Sequence, residues 1–205
     1  NIEGRDSLPL ARKMASDSNE EIRSYAIDVM VTFGNADDIT SVKKQIDREL
    51  IGVKIHGALA LARRGIRVGR EVALSGIETS SSTVRTEAIR LLGLIGSSED
   101  KVLLRSIADD RHAGSFHRVE ALFAINQLDL RAMPEDAANA FLEGKLSDSK
   151  IGVREWAAKQ LLLRHKAGGL ESLERVAKSS GIGAKEAAEA LAAVGTPQWK
   201  RAFGE

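Results

Sequence analysis

The sequence contains a segment, IRSYAIDVMVTFG at residues 22–34, that recurs at a fixed spacing. A shift of 31 residues gives VKIHGALALARRG at 53–65, and a second equal shift gives VRTEAIRLLGLIG at 84–96. Each segment has an aliphatic residue, a base, two variable residues, a small residue, further aliphatic residues and a closing glycine. Because three copies in register rarely arise by chance, the sequence predicts an internal repeat.

Three looser copies extend the repeat, at 117–121, 153–157 and 184–188. The repeated basic position is occupied by Arg23, Lys54, Arg85, Arg118, Arg154 and Lys185. The repeated small position is occupied by Ala26, Gly57, Ala88, Ala121, Ala157 and Ala188. Small side chains let neighbouring helices approach closely, so this second position is expected to face the core.

Apolar residues within each copy recur at helical spacing, as Ile22, Ala26, Val29, Met30 and Phe33 do. A second amphipathic segment precedes each copy, and no segment alternates with the period of a strand. We therefore predict an all-α fold, a right-handed α-α superhelix (a solenoid) of about six helix pairs. The predicted pairs lie near 8–34, 36–65, 67–96, 98–129, 131–165 and 168–195. Glycines are expected to close helices in a left-handed conformation at Gly34, Gly65, Gly96 and Gly195.

The two ends of the chain have separate interpretations. Residues 2–5 read IEGR, the recognition tetrapeptide of a protease used to remove purification tags. Residues 1–6 are therefore expected to be a tag remnant or a disordered N-terminus, and 7–205 a single repeat domain. The tail from 196 to 205 is expected to begin a partial terminal helix. Trp199 and Phe203 would pack there as the edge of the array or meet a missing repeat.

The segment DSNEEIRSYA at 17–26 resembles a HEAT-type repeat, in particular the short HEAT-like repeats of phycobiliprotein lyases. The segment DSKIGVR at 148–154 repeats its spacing from Asp to Arg. Other copies depart from this pattern, with Arg48, Thr79, His112 and Ser179 in place of the Asp. The resemblance implies a superhelix whose second helices line a concave binding surface. It also implies that the repeated base bonds a neighbouring loop Asp or a helix C-terminal carbonyl and links adjacent pairs.

Composition narrows the classes of function. There are 30 Lys and Arg residues against 29 Asp and Glu, a net charge of +1, which is not the electrostatic footprint of a dedicated nucleic-acid binder. Apolar residues make up 43% and charged residues 29%, as in a globular chain. No apolar run approaches the length of a membrane span. The sequence has no cysteine, hence no disulfide, thiol nucleophile or thiolate metal site.

No group of residues satisfies the requirements of a catalytic site. His112 and His117 share a segment with Asp109 and Asp110, the best candidate for a metal site, although a solvated polar loop is the simpler interpretation. The sequence lacks a His-Glu pair, a phosphate-binding glycine loop and a Gly-x-Ser-x-Gly elbow. No catalytic residue, metal or cofactor is therefore predicted.

Second-helix positions outside the apolar stripe are expected to face the concave surface. Two residues after each base stand Tyr25, His56, Glu87, Glu120, Trp156 and Ala187. Five residues after each base stand Asp28, Leu59, Arg90, Phe123, Lys159 and Ala190. Exposed aromatic residues flanked by charge suit a protein-binding hot spot. The predicted partner-binding residues are Tyr25, His56, Arg90, Phe123, Trp156 and Lys159. For Phe123 and Trp156 the alternative is that they fill irregular core beside the insertions.

Three functions are compatible with these observations. The favoured one is a non-enzymatic cytoplasmic scaffold that binds a protein partner in the concave groove and self-associates weakly through its terminal repeats. One alternative is similarity to the heterodimeric phycobilin lyases, which load an open-chain tetrapyrrole onto a protein cysteine. Another is similarity to the HEAT-type alkylpurine DNA glycosylases, which a groove containing Asp28, Glu87 and Glu120 disfavours because carboxylates repel phosphates.

Overall fold

Regular structure in this chain is helical. A computed structural model describes residues 6–165, 168–194 and 196, and these residues contain twelve α-helices and no β-strand. The all-α prediction is confirmed for this part of the chain. The predicted Gly195 cap, Trp199, Phe203 and residues 1–5 lie outside the described residues.

Two helices begin in each interval that the sequence assigns to a pair, but the helix Ser115–Ala132 runs past the predicted end at 129 into the next interval. The first helices are α1 (Leu8–Met14), α3 (Ala36–Ile46), α5 (Arg70–Ile77), α7 (Asp100–Asp109), α9 (Glu135–Leu146) and α11 (Gly169–Ala177). The second helices are α2 (Glu20–Phe33), α4 (Ile51–Arg63), α6 (Ser82–Ile95), α8 (Ser115–Ala132), α10 (Ile151–Leu163) and α12 (Ala184–Ala192). In the described ranges, no helix combines the length and the hydropathy needed to cross a membrane.

The chain divides into two compact units, Asn1–Leu128 and Asp129–Glu205. In the first unit, α2 packs against α4 and α4 packs against α6, so three second helices follow one another in sequence order. Glycines on α4 and α6 allow close contacts with α3 and α8. A Cβ added to Gly57 would lie 2.5 Å from Cγ2 of Ile46, and one added to Gly93 would lie 2.6 Å from Cα of Ala124. Neither site accommodates a side chain, so the close approach depends on glycine.

The second unit has its own core, formed by α9 to α12, in which Leu142, Leu161 and Leu173 are fully buried. The structure corrects the register of the sixth copy. Ala187 is fully buried there, whereas Ala188, the predicted core position, is exposed. The turn before α12 fixes this register, because a Cβ on Gly183 would lie 2.9 Å from the carbonyl carbon of Leu146.

Buried carboxylates cap two first helices of the first unit. Asp38 is 5% exposed and accepts a hydrogen bond from the N–H of Asn35 at 2.9 Å, which completes a capping box at the start of α3. Arg12 on α1 donates to both Asp38 oxygens, at 2.8 and 2.9 Å, and this donation lowers the pKa of the Asp38 carboxyl. Arg70 on α5 and Asp100 on α7 repeat the arrangement. Bidentate ion pairs therefore join α1 to α3 and α5 to α7.

The glycines that close the second helices differ from the sequence prediction in their conformation. Gly65 has the expected left-handed φ of 80°, but Gly34 has φ −74° and Gly96 has φ −61°. The requirement for glycine at the latter two positions is spatial. A Cβ on Gly34 would lie 2.6 Å from the Cβ of Asp38, and one on Gly96 would lie 2.7 Å from Oδ2 of Asp100. The capping carboxylate fills the space that a side chain would need.

Two of the predicted basic positions, Arg23 and Arg154, link adjacent pairs, but their carboxylate partners are glutamates and not the expected loop Asp. Arg23 donates to Glu49, with Nη2 2.9 Å from Oε2, and its Nη1 donates to the carbonyl of Asp17 at 2.9 Å. Arg154 donates to Glu186, with Nη2 2.8 Å from Oε1, and its Nη1 donates to the carbonyl of Asp148 at 3.0 Å. Each guanidinium thus links the loop before its own helix to a carboxylate of the following pair.

The remaining basic positions do not follow this arrangement. Among the described residues, no side-chain hydrogen bond or ion pair is found for Lys54, Arg85 or Arg118, and Nε of Arg85 is buried without a partner. Lys185 is exposed and lies 3.7 Å from Glu189 in its own helix.

We expect Gly96→Ala to lower the free energy of unfolding by about 1–3 kcal/mol, because the new methyl group meets the Leu92 carbonyl and the Asp100 carboxylate. Gly144→Ala is the matched control: it lies in α9 with no atom within 4 Å of the new Cβ, and should stabilise by about 0.5–1 kcal/mol. Urea unfolding followed by circular dichroism measures both changes. Equal effects of the two substitutions would contradict the spatial role of Gly96.

We expect Arg154→Gln to destabilise the second unit by about 3–5 kcal/mol, because Glu186 would keep a buried charge without its cation. Lys178→Gln, which breaks an exposed pair with Glu174, should cost less than about 0.5 kcal/mol. Donation by Arg154 lowers the pKa of Glu186, so the stabilisation is present above the ordinary carboxyl range and lost as the pH falls below it. Urea titrations at neutral and acid pH test the prediction, which fails if both substitutions cost the same.

Candidate partner-binding groove

A groove of about 380 Å³ crosses the three second helices α2, α4 and α6. We call it the acidic groove, after the side chains that line it. Helix α2 contributes Glu20, Glu21, Tyr25 and Asp28, helix α4 contributes His56, and helix α6 contributes Glu87. Because α2 packs against α4 and α4 against α6, equivalent positions of successive copies come together on one surface.

His56 is held between two carboxylates from the neighbouring helices. Its Nε2 lies 2.9 Å from Oδ2 of Asp28, and its Nδ1 lies 3.6 Å from Oε1 of Glu87. Hydrogen bonding to Asp28, followed by Glu87, raises the pKa of His56 to about 9, against the opposing effect of burial. The imidazole is therefore protonated at neutral pH and links α2, α4 and α6 electrostatically.

Negative charge dominates the acidic groove even with His56 protonated. Glu20, Glu21, Asp28 and Glu87 outnumber that single cation. Tyr25 stands among them with 65% of its surface exposed. Carboxylates beside an exposed aromatic ring suit a ligand cation, through charge-assisted hydrogen bonds and a cation–π contact.

A second hollow, of about 230 Å³, lies on α2 and α4 and shares Asp28 with the acidic groove. We call it the basic hollow, because Arg63 and Arg64 line it together with Thr32. Nη1 of Arg64 donates to the carbonyl of Val31 at 2.6 Å and so satisfies the C-terminal end of α2. Arg63 is exposed.

The structure brings two of the six predicted partner-binding residues together, Tyr25 and His56, both in the acidic groove. Arg90 forms a bidentate pair with Glu120 instead, with both nitrogen–oxygen distances at 2.9 Å. Phe123 is half-buried in the first unit.

The other two predicted residues belong to the second unit. Trp156 is half-buried and packs against the core of that unit, and Lys159 is exposed. Two of the other second-helix positions predicted to face the concave surface, Leu59 and Ala187, are instead buried.

The candidate metal cluster is not assembled. In the described part of the chain, no group of three or more His, Asp or Glu side chains could hold a metal ion. Nε2 of His117 lies 3.2 Å from both Oγ and the carbonyl oxygen of Ser82, so this side chain at the start of α8 contacts the start of α6.

Sequence reasoning missed Glu20, Glu21, Arg63 and Arg64. A signal for them exists in the helical spacing: Glu21 lies four residues before Tyr25, and Arg63 lies seven residues after His56. Glu21 and Arg63 therefore extend the same helix faces by one or two turns beyond the positions chosen two and five residues after each base.

Comparison of the chain with protein-family models and with curated proteins gave no match.

Replacing His56 with Gln should reduce stability most below pH 6.5, by on the order of 2 kcal/mol, with water around the 38%-exposed Asp28 side chain screening part of the effect. Because the folded-state pKa of His56 is raised from 6.5 to about 9, its contribution is full below pH 6.5 and lost as the pH rises through 9. Unfolding titrations of both proteins across this interval measure the difference.

Proton NMR of the imidazole gives the pKa of His56 directly, and Asp28→Asn should lower it. A difference in stability between the wild type and His56→Gln that does not change with pH would contradict the role assigned to the carboxylates.

Proposed function

We propose that this protein is a non-enzymatic scaffold that binds a partner protein along the face of its second helices. The helix pairs would form a right-handed α-α superhelix of the HEAT type, with this face as its concave surface. The proposal includes the cytoplasmic location and weak self-association expected from the sequence. The observation that carries it is the acidic groove, in which Tyr25, His56 and Glu87, each two residues after a repeated base, line one depression.

The side chains of the groove suit binding better than catalysis. A general base needs a pKa near the working pH and an accessible lone pair. His56 has neither, because its two ring nitrogens face Asp28 and Glu87 and its pKa is about 9. The negative lining also favours a protein over a nucleic acid, whose phosphates would approach Glu20 and Glu21.

An affinity-capture experiment tests the proposal. The double variant Tyr25→Ala with Glu21→Lys changes two exposed side chains of the groove, and therefore should leave the fold intact. The matched control, Val102→Ala with Asp109→Lys, makes the same kind of change at two exposed positions of α7 outside the groove. Circular dichroism checks that both variants remain folded.

We expect at least one protein from the source organism's lysate to bind the wild type and the control equally. Its recovery by the groove variant should fall by about tenfold or more, the loss expected for a central aromatic anchor. Quantitative mass spectrometry of the captured proteins measures this ratio. Recovery of the same proteins by all three baits, or of none, would contradict the proposal.

A further inference from the structure

The acidic groove and the basic hollow lie on the same faces of α2 and α4. On α2 the lining positions run from Glu21 through Tyr25 and Asp28 to Thr32, at the spacing of one helix face. On α4 the lining likewise continues past His56 toward the C-terminal end of the helix. Because Asp28 lines both depressions, they adjoin along the two helices, and we call the two together the path.

This path is negative at one end and positive at the other. Glu20 and Glu21 lie in the first turn of α2, and Arg63 lies in the last turn of α4, where each sign is favoured by the helix dipole. The dipole does not account for Asp28 or Glu87, which lie beyond the first turn of their helices. Asp28 and Glu87 are paired with His56, so the charges that remain for a ligand are Glu20 and Glu21 at one end and Arg63 at the other.

We infer that the path binds an extended segment of the partner protein in which a lysine or arginine side chain and a carboxylate are separated by a fixed distance. The cation would lie against Tyr25 and the groove carboxylates, and the carboxylate against Arg63. This inference rests on the proposed function and specifies the chemistry of the partner.

The helix geometry sets the separation of the two charges. The interval along α2 from Tyr25 to Thr32 is about 10 Å, and from Glu21 to Thr32 about 16 Å, at about 1.5 Å per residue. An extended chain advances about 3.3 Å per residue, so the two charged residues of the partner would be about three to five positions apart.

Short fluorescein-labelled peptides test the inference with the full chain. One pair of peptides carries Lys and Glu about four residues apart, in both orders along the peptide. Two control peptides carry Lys at both positions or Glu at both. We expect one of the mixed-charge orders to bind about threefold or more tightly than either control, as measured by fluorescence anisotropy, and to weaken as salt is raised.

The substitution Arg63→Glu should reverse this preference, so that the doubly basic peptide binds more tightly than the mixed one. Arg67→Glu is the matched control, since Arg67 is also exposed but lines neither depression, and it should leave the preference unchanged. Arg63 is exposed, so its replacement does not disturb the core.

Tight binding of the doubly basic peptide to the wild type, with no effect of Arg63→Glu, would overturn the inference while leaving the acidic groove as a binding site. Failure of all peptides to bind would also overturn it, and the affinity-capture result would then show separately whether the groove binds a partner. Displacement of the mixed peptide by duplex DNA would overturn the inference in favour of a nucleic-acid partner.

Discussion

Packing of α2 against α4 and of α4 against α6 is the constraint on which the face of the second helices in the first unit depends. Glycines bring the two later helices close to other neighbours: Gly57 of α4 meets Ile46 of α3, and Gly93 of α6 meets Ala124 of α8, at distances that leave no space for a methyl group. Because α2, α4 and α6 pack in sequence order, side chains at equivalent repeat positions come together. The acidic groove is a consequence of this packing, since Tyr25, His56 and Glu87 are far apart in sequence but share one depression.

Buried charge adds a second constraint, which fixes the register between pairs. An apolar contact tolerates small shifts, whereas a guanidinium that bonds a buried carboxylate with two hydrogen bonds does not. Arg12 with Asp38 joins first helices in this way, and Arg154 with Glu186 joins a second helix to the next pair. The same Asp38 caps its own helix, so one carboxylate sets both where α3 begins and how it lies against α1.

The sequence predicts the helices well because their signals are local. The apolar spacing of 22–34 identifies a helix and its buried face, and Ala26 and Ile27 are fully buried. The conformation of a helix end and the choice of an ion-pair partner depend on tertiary contacts. This explains why Gly34 and Gly96 lack the predicted left-handed φ and why Arg90 pairs with Glu120. Glycine is required at position 34 because the Asp38 side chain packs over the end of α2, and not because of the φ of Gly34. No spacing rule reveals this contact.

The candidate site is predictable only in part, for the same reason. The helical period places Tyr25 and His56 on the same face of the second helices, and both line the groove. It also places Arg90 there, but the choice of Glu120 as its partner is a tertiary event between α6 and α8. The position of His56 depends on both the helical spacing and its tertiary contacts. Asp28 and Glu87 on separate helices would repel each other across α4, and the imidazolium between them offsets that repulsion.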